Sequence, residues 1–302
     1  MGSSSYSSSD RSFRSVSLGY MSKGRDDIFE QNKKRMIHES MEPKGVTIRE
    51  SRDSEAHPNS IPIIISLDVT GSMGNIPHDL VKDGLPKIME GIIQNGIPDP
   101  QVLFLAVGDH ECDRHPLQVS QFESGDAELD MWLTRTYIEG GGGGNGFESY
   151  GLAHYFAANH TVTDNWEKRG QKGFLFTIGD EPNGRNYPST ALKEIIGNGD
   201  IKTFTDKEIL QKAQEKWNVY HIMPGKETSG ARAYWKELLG QNLIWVDSSE
   251  QVALAIRDIV IANTNQTIDL NIIAQDVVIN VDTSLKIEDI PNILDNKPNI
   301  ML

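Results

Sequence analysis

An α/β fold with a doubly wound, mostly parallel central sheet and helices on both faces is what this sequence predicts, on three observations. The runs IPIIISL from Ile61, VLFLAV from Val102 and GFLFTI from Gly173 are apolar without alternation, as strands covered on both faces must be. Amphipathic segments separate such runs, and Leu80, Val81, Leu85, Ile88, Met89 and Ile92 fall on one face of a helix. Within two residues of each run's end stands an aspartate, Asp68, Asp109 and Asp180. Carboxylates are thereby set where such folds gather ligands, at the carboxyl ends of the strands.

In chain order, residues 1–24 are rich in serine and poor in large apolar residues, so a disordered tail is expected. Residues 25–60 read as a charged extension with a short helix around IFEQNKKRM and an edge strand in GVTIRE. The domain proper spans 61–263. After its first strand comes a helix that Pro86 should kink. Beyond VLFLAV follow a short strand in PLQVSQF, a helix near ELDMWLTR, a glycine run and a helix YGLAHYFAANH. Thr205 with Glu208, and Ser248 with Gln251, have the spacing of a capping box ahead of ILQKAQEKW and VALAIRDIVI. NVYHIM and NLIWV read as strands, and the helix ARAYWKELLG stops at a glycine. Residues 264–302 lose the helical period and are expected to form an extended arm.

Composition narrows the function. Among 302 residues, 43 are acidic and 29 basic, for a formal charge of -14, so nucleic acid and anionic membranes are poor partners. The single cysteine, Cys112, cannot close an intrachain disulfide. No run reaches the roughly 18 apolar residues of a membrane span, and the serine-rich start has no apolar leader core. A cytoplasmic location is expected.

The stretch LDVTGSMG from Leu67 carries the chemistry. Asp68, Thr70 and Ser72 alternate along an extended turn and can point three oxygens to one side, while Gly71 and Gly74 let the backbone turn. These are hard ligands, and a few of them with several waters is how Mg²⁺ is held. Three rim aspartates would repel one another unless a cation lay between them.

The pattern D-x-[ST]-x-S resembles the metal-ion-dependent adhesion site of von Willebrand factor type A domains, over about residues 61–263. In GGGGGNGFES, Asn145 and Glu148 resemble a GGGD-x-P-E variant of that family's second loop, with Asn145 in place of aspartate. Asp180, in FTIGDEP, matches the third loop, where the aspartate usually acts through water. The resemblance implies a non-enzymatic, metal-dependent protein-interaction module that binds a partner's aspartate or glutamate. Its Mg²⁺, or Mn²⁺ or Ca²⁺, would be held by Asp68, Thr70, Ser72, Asn145 and Asp180, with Asp109, Glu148 and Glu181 around it. An AAA+ ATPase is one class of partner the resemblance implies.

Two other classes compete. The strand-end carboxylates could instead hold metal for phosphoester hydrolysis, although only Lys82, Arg114 and Arg185 offer positive charge to a phosphate there. An assembly protein acting through its tails is the third reading. A zinc site of His110, Cys112 and His115 has no familiar spacing, so a satisfied polar loop is expected there, and Ser72 lacks a G-x-S-x-G setting.

Overall fold

The structure is a computed structural model and describes residues 4–141, 144–197, 202–225 and 230–264. Its strands are β1 (Arg49–Ser51), β2 (Ile61–Asp68), β3 (Pro100–Val107), β4 (Leu117–Val119), β5 (Thr161–Thr163), β6 (Gly173–Ile178), β7 (Asn186–Tyr187), β8 (Phe204–Thr205), β9 (Trp217–Pro224) and β10 (Leu243–Val246). Six of them form the central sheet in the order β10-β9-β6-β2-β3-β4. Every pairing in it is parallel except β3 with β4. The chain leaves β2 for β3 on one side and later returns to β6 on the other, so the strand order reverses between β2 and β6. The crevice of a doubly wound sheet lies at such a reversal.

Helices cover both faces: α1 (Ser8–Leu18), α2 (Arg25–Ile28), α3 (Gln31–Lys34), α4 (Ile76–Asp79), α5 (Leu85–Gln94), α6 (Asp126–Thr134), α7 (Gly151–Asn159), α8 (Asp164–Glu167), α9 (Ser189–Ile195), α10 (Asp206–Gln214), α11 (Ala231–Leu239) and α12 (Ser249–Thr264). The unbroken apolar strands serve two cores. Ile63, Ile65, Phe104 and Phe176 pack with α5, α6 and α12. Their neighbours Ile64, Leu103, Leu105 and Leu175 pack with α7, α10 and α11. Alternate residues of one run thus point to opposite layers, which is why a two-faced strand tolerates no polar alternation. The Thr205 capping box forms as its spacing predicts. Ser248 Oγ accepts from Gln251 N at 3.4 Å, but the glutamine reaches back to the Asp247 amide rather than to that of Ser248.

Three expectations need correction or refinement. The serine-rich start is not a bare tail, for residues 8–18 form α1, and Arg11 is buried. Its guanidinium binds Asp130 and the Val81 carbonyl, while Arg14 Nε meets Asp126 at 2.8 Å. Composition predicted disorder because the ordering free energy comes from acids on α6, more than a hundred residues away. The extension carries two short helices, α2 and α3, and its strand falls at Arg49–Ser51, pairing in parallel with β5. The kink at Pro86 is a π-turn over Leu80–Gly84. Leu85 N–H bonds to the Leu80 carbonyl, and in that register the Val81 carbonyl would need an N–H from Pro86, which has none. Arg11 supplies it. The expected arm beyond Thr264 lies outside the described residues.

One buried group sets an acid limit on stability. His154 on α7 is fully buried, with neither ring nitrogen hydrogen-bonded among the described residues. Burial lowers its pKa from 6.5 to about 4. The unfolded chain takes up a proton first as pH falls, so stability is lost across that window and levels off below it. His154→Leu should flatten the loss by roughly 1 kcal/mol per pH unit, read as the difference between two urea-denaturation series. Parallel series would show that His154 is not held neutral.

Candidate metal centre

β2 and β6 are adjacent and in register, Leu67 opposite Ile178, so the loops that follow them meet. Asp68 is fully buried at the end of β2. Its Oδ1 accepts from Thr70 N at 2.8 Å and from Thr70 Oγ1 at 2.6 Å, and its Oδ2 accepts from the Tyr150 hydroxyl at 2.8 Å. Ser72 Oγ donates to Asp180 Oδ1 at 2.8 Å, and the Thr70 and Ser72 hydroxyl oxygens stand 3.3 Å apart. A chain of oxygens therefore runs Asp68, Thr70, Ser72, Asp180, from a buried floor to an exposed lip. Burial pushes the Asp68 carboxyl up to about 7; the Thr70 and Tyr150 bonds oppose this and the Asp180 charge adds to it.

The glycine run is tied to the first loop. Gly71 N donates to the Gly141 carbonyl at 2.6 Å, and Gly140 N to the Val69 carbonyl at 3.1 Å. A Cβ on Gly71 would lie 2.9 Å from the Gly140 carbonyl oxygen, so the glycine is required by close approach. Gly179 is bound by a tighter contact, since a Cβ there would lie 1.8 Å from the Tyr150 hydroxyl. Gly179→Ala should displace Tyr150 from Asp68 and destabilise by about 1–3 kcal/mol, whereas Tyr150→Phe/Gly179→Ala should recover part of it. No recovery in the thermal melt of the double variant would place the strain elsewhere.

The remaining candidates form the other half of the rim. Asp109 is buried and held by Asn145 Nδ2 at 2.6 Å and by Glu111 N at 3.0 Å. Asn145 is exposed, and its amide binds Asp109 rather than the Asp68–Ser72 oxygens. Glu148 stands between the halves: burial first, then the charges of Asp68, Asp113, Asp109 and Glu181, push its carboxyl up to about 9. Glu148 Oε2 and Glu181 Oε2 are buried without hydrogen-bond partners among the described residues. His110 Nδ1 bonds Ser149 Oγ at 2.7 Å, His115 lines a depression that His110 also borders, with its Nε2 buried and without a hydrogen-bond partner among the described residues, and Cys112 is exposed. The loop is therefore not fully satisfied, yet these side chains form no metal-holding group among the described residues.

Sequence reading missed Tyr150 and His221. His221 is buried against Trp235, ring centroids 3.8 Å apart, and bonds Thr177 Oγ1 at 2.8 Å and the Gly179 carbonyl at 3.2 Å. It thus fixes the turn that carries Asp180. Nothing in YGLAHYF or NVYHIM marks either residue, because both look like core positions and act only through a contact across the sheet.

A six-stranded sheet with one antiparallel edge carries, at its switch point, a D-x-T-x-S loop bonded to the aspartate that follows β6. The fold is the doubly wound, mostly parallel α/β class that the sequence predicts, and its site loop keeps the pattern on which the resemblance to type A domains rests. Among solved structures it is similar to the pilus adhesin SpaC of Lactobacillus rhamnosus GG, with TM-score 0.46 and 10% identity over 71% of this chain and 32% of that one. Proximal thread matrix protein 1 of the mussel byssus, in a structure with a zinc-occupied MIDAS motif, gives 0.45 and 10%, over 72% and 48%. The VWA domain of SpRpn10 gives 0.40 and 11%, over 65% and 94%. The chain spans about a third to a half of the first two of these. No protein-family model matches the chain, and no curated protein matches it in sequence.

The site suits a hard divalent cation. Its convergent donors are two carboxylates and two hydroxyls, all oxygen, and the adjoining Glu148 and Glu181 each add a carboxylate oxygen without a partner among the described residues. No three His, Cys, Asp or Glu side chains form a metal cage by themselves among the described residues, so a cation here would complete its shell with water or with a partner's oxygen. No described helix is long and apolar enough to cross a membrane.

Proposed function

We propose that this chain is a metal-dependent protein-interaction module that captures a carboxylate of its partner. The observation that carries this reading is the oxygen chain from Asp68 through Thr70 and Ser72 to Asp180. It supplies few enough protein charges to leave a bound cation hungry for one more anionic ligand. Asp68, Thr70, Ser72 and Asp180 would hold Mg²⁺ or Mn²⁺, and the cation would supply Lewis acidity toward an incoming aspartate or glutamate. The protein's own residues do the positioning. Tyr150 and Thr70 fix both oxygens of Asp68, His221 fixes the Gly179 turn, and the Gly71–Gly141 bond holds the glycine run against the first loop. Tethering to the partner at the exposed lip, near Ser72 and Asp180, keeps the buried Asp68 out of contact with it. An AAA+ ATPase is proposed as one class of partner, on the family resemblance.

Thr70→Ala and Asp180→Ala should each weaken Mn²⁺ binding about tenfold, less than loss of Asp68. Equal loss in all three variants would mean that each residue ligates directly. The deciding test is capture of a partner by the purified chain in millimolar Mg²⁺, in EDTA and with Asp68→Ala. A partner retained by the wild type with metal alone supports the reading, and retention indifferent to both changes overturns it.

A further inference from the structure

We propose that the cleft between the amino-terminal extension and the carboxyl end of α6 binds an acidic peptide segment that also carries apolar side chains. This cleft of about 390 Å³ is lined by Lys23 from the end of the serine-rich start, Lys34 from the extension and Arg135 at the end of α6, with Leu18 and Tyr20 beside them. Its acids are largely committed: Asp130 to Arg11 and the Tyr20 hydroxyl, Asp27 to Lys33, which leaves Glu30.

Lys23, Lys34 and Arg135 have no ion pair among the described residues. Arg135 reaches Ser40 Oγ at 3.4 Å and lies 5.7 Å from the Trp132 ring centroid. On a chain with formal charge -14, three cations that face one cleft with no ion pair among the described residues stand out against the acidic balance of the whole. They set a local positive field that a carboxylate-bearing ligand would complete.

The apolar half of the argument comes from α1. Its inner side is docked through Arg11, and Phe13 and Val16 are left 76% and 82% exposed, followed by Met21 at 68%. Scattered exposed apolar residues need no explanation, but these lie on the segment that leads through Leu18 into the basic cleft. Acidic residues for the cleft and apolar ones for the α1 flank define the ligand. An anionic bilayer offers the same two chemistries, yet a concave site on a strongly acidic chain favours a peptide over an extended negative surface. None of the cleft's residues belongs to the metal centre, so this inference does not rest on the proposed metal-dependent function.

The test uses the full chain in EDTA and a fluorescein-labelled peptide of alternating glutamate and leucine, with a lysine–leucine peptide as control, read by fluorescence anisotropy. Saturable binding of the acidic probe alone is expected, weakening as salt rises. Lys34→Glu/Arg135→Glu should weaken it at least about tenfold, and Phe13→Ser/Val16→Ser severalfold. Asp68→Ala should leave it unchanged. Lys34, Phe13 and Val16 are exposed, and circular dichroism melts would verify that the variants fold. Absence of saturable binding, or affinity untouched by the charge reversals, overturns the proposal. So does binding to phosphatidylserine vesicles, lost in the same variants, without binding to the peptide.

Discussion

Asp68→Ala is expected to abolish divalent binding, by on the order of 100-fold or more in Kd, while the domain stays folded. Asp68 is the sole donor of the oxygen chain that is wholly buried and bonded on both carboxylate oxygens, so no neighbour can take its place. The fold should survive because ionised Asp68 is a cost in the absence of metal, as its rise from 3.8 to about 7 on burial records. The sign follows directly. Between those values the folded metal-free chain binds more protons than the unfolded one, so Asp68 subtracts stability as pH rises through that window, and Asp68→Asn removes the dependence. For metal the sign is reversed. Proton and cation compete for one carboxylate, so Mn²⁺ affinity should fall about tenfold per pH unit below about 7. Titration calorimetry at two pH values with wild type and Asp68→Ala measures all of this. Wild-type affinity in the variant would show the site to be elsewhere.

Arg11→Met should destabilise by about 3–5 kcal/mol, the cost of breaking a buried pair by removing one partner. Arg11 meets Asp130 and the Val81 carbonyl freed by the π-turn, and lies 3.7 Å from Asp126. Its removal leaves a buried carbonyl and two buried acids short of a donor, and only Arg14 and the Tyr20 hydroxyl remain to them. Arg11→Met/Asp130→Leu should recover part of the loss, because the pair leaves together. Urea denaturation of the single and double variants checks it. A single variant within about 0.5 kcal/mol of wild type would mean that α1 contributes nothing to the fold, as a serine-rich tail would suggest. Proteolysis offers a second view: α1 should be protected in the wild type and cut early in Arg11→Met.

Why was so much legible and α1 not? The strands, the helices between them and the Thr205 cap are written in local patterns, apolar runs, period and spacing, which act over a few residues. So is the D-x-T-x-S loop, whose three oxygens are close in the chain. Pro86 was legible as a disturbance but not as a π-turn, because the form of the break depends on Arg11 arriving to satisfy the Val81 carbonyl. Asn145 was placed by resemblance among the ligands. The structure gives its amide to Asp109, a choice that no spacing encodes.

By itself the sequence determined the fold class, the carboxyl-end rim and the identity of Asp68, Thr70, Ser72 and Asp180 as its hard oxygens, since buried strands must end in loops and those loops carry these residues. Only the tertiary structure decided that β2 and β6 are neighbours, that Tyr150 and His221 support the site from below, that Asn145 serves Asp109, and that the serine-rich start is a docked helix. Each of these rests on a contact between residues far apart in the chain, whose free energy exists only once the sheet has brought them together.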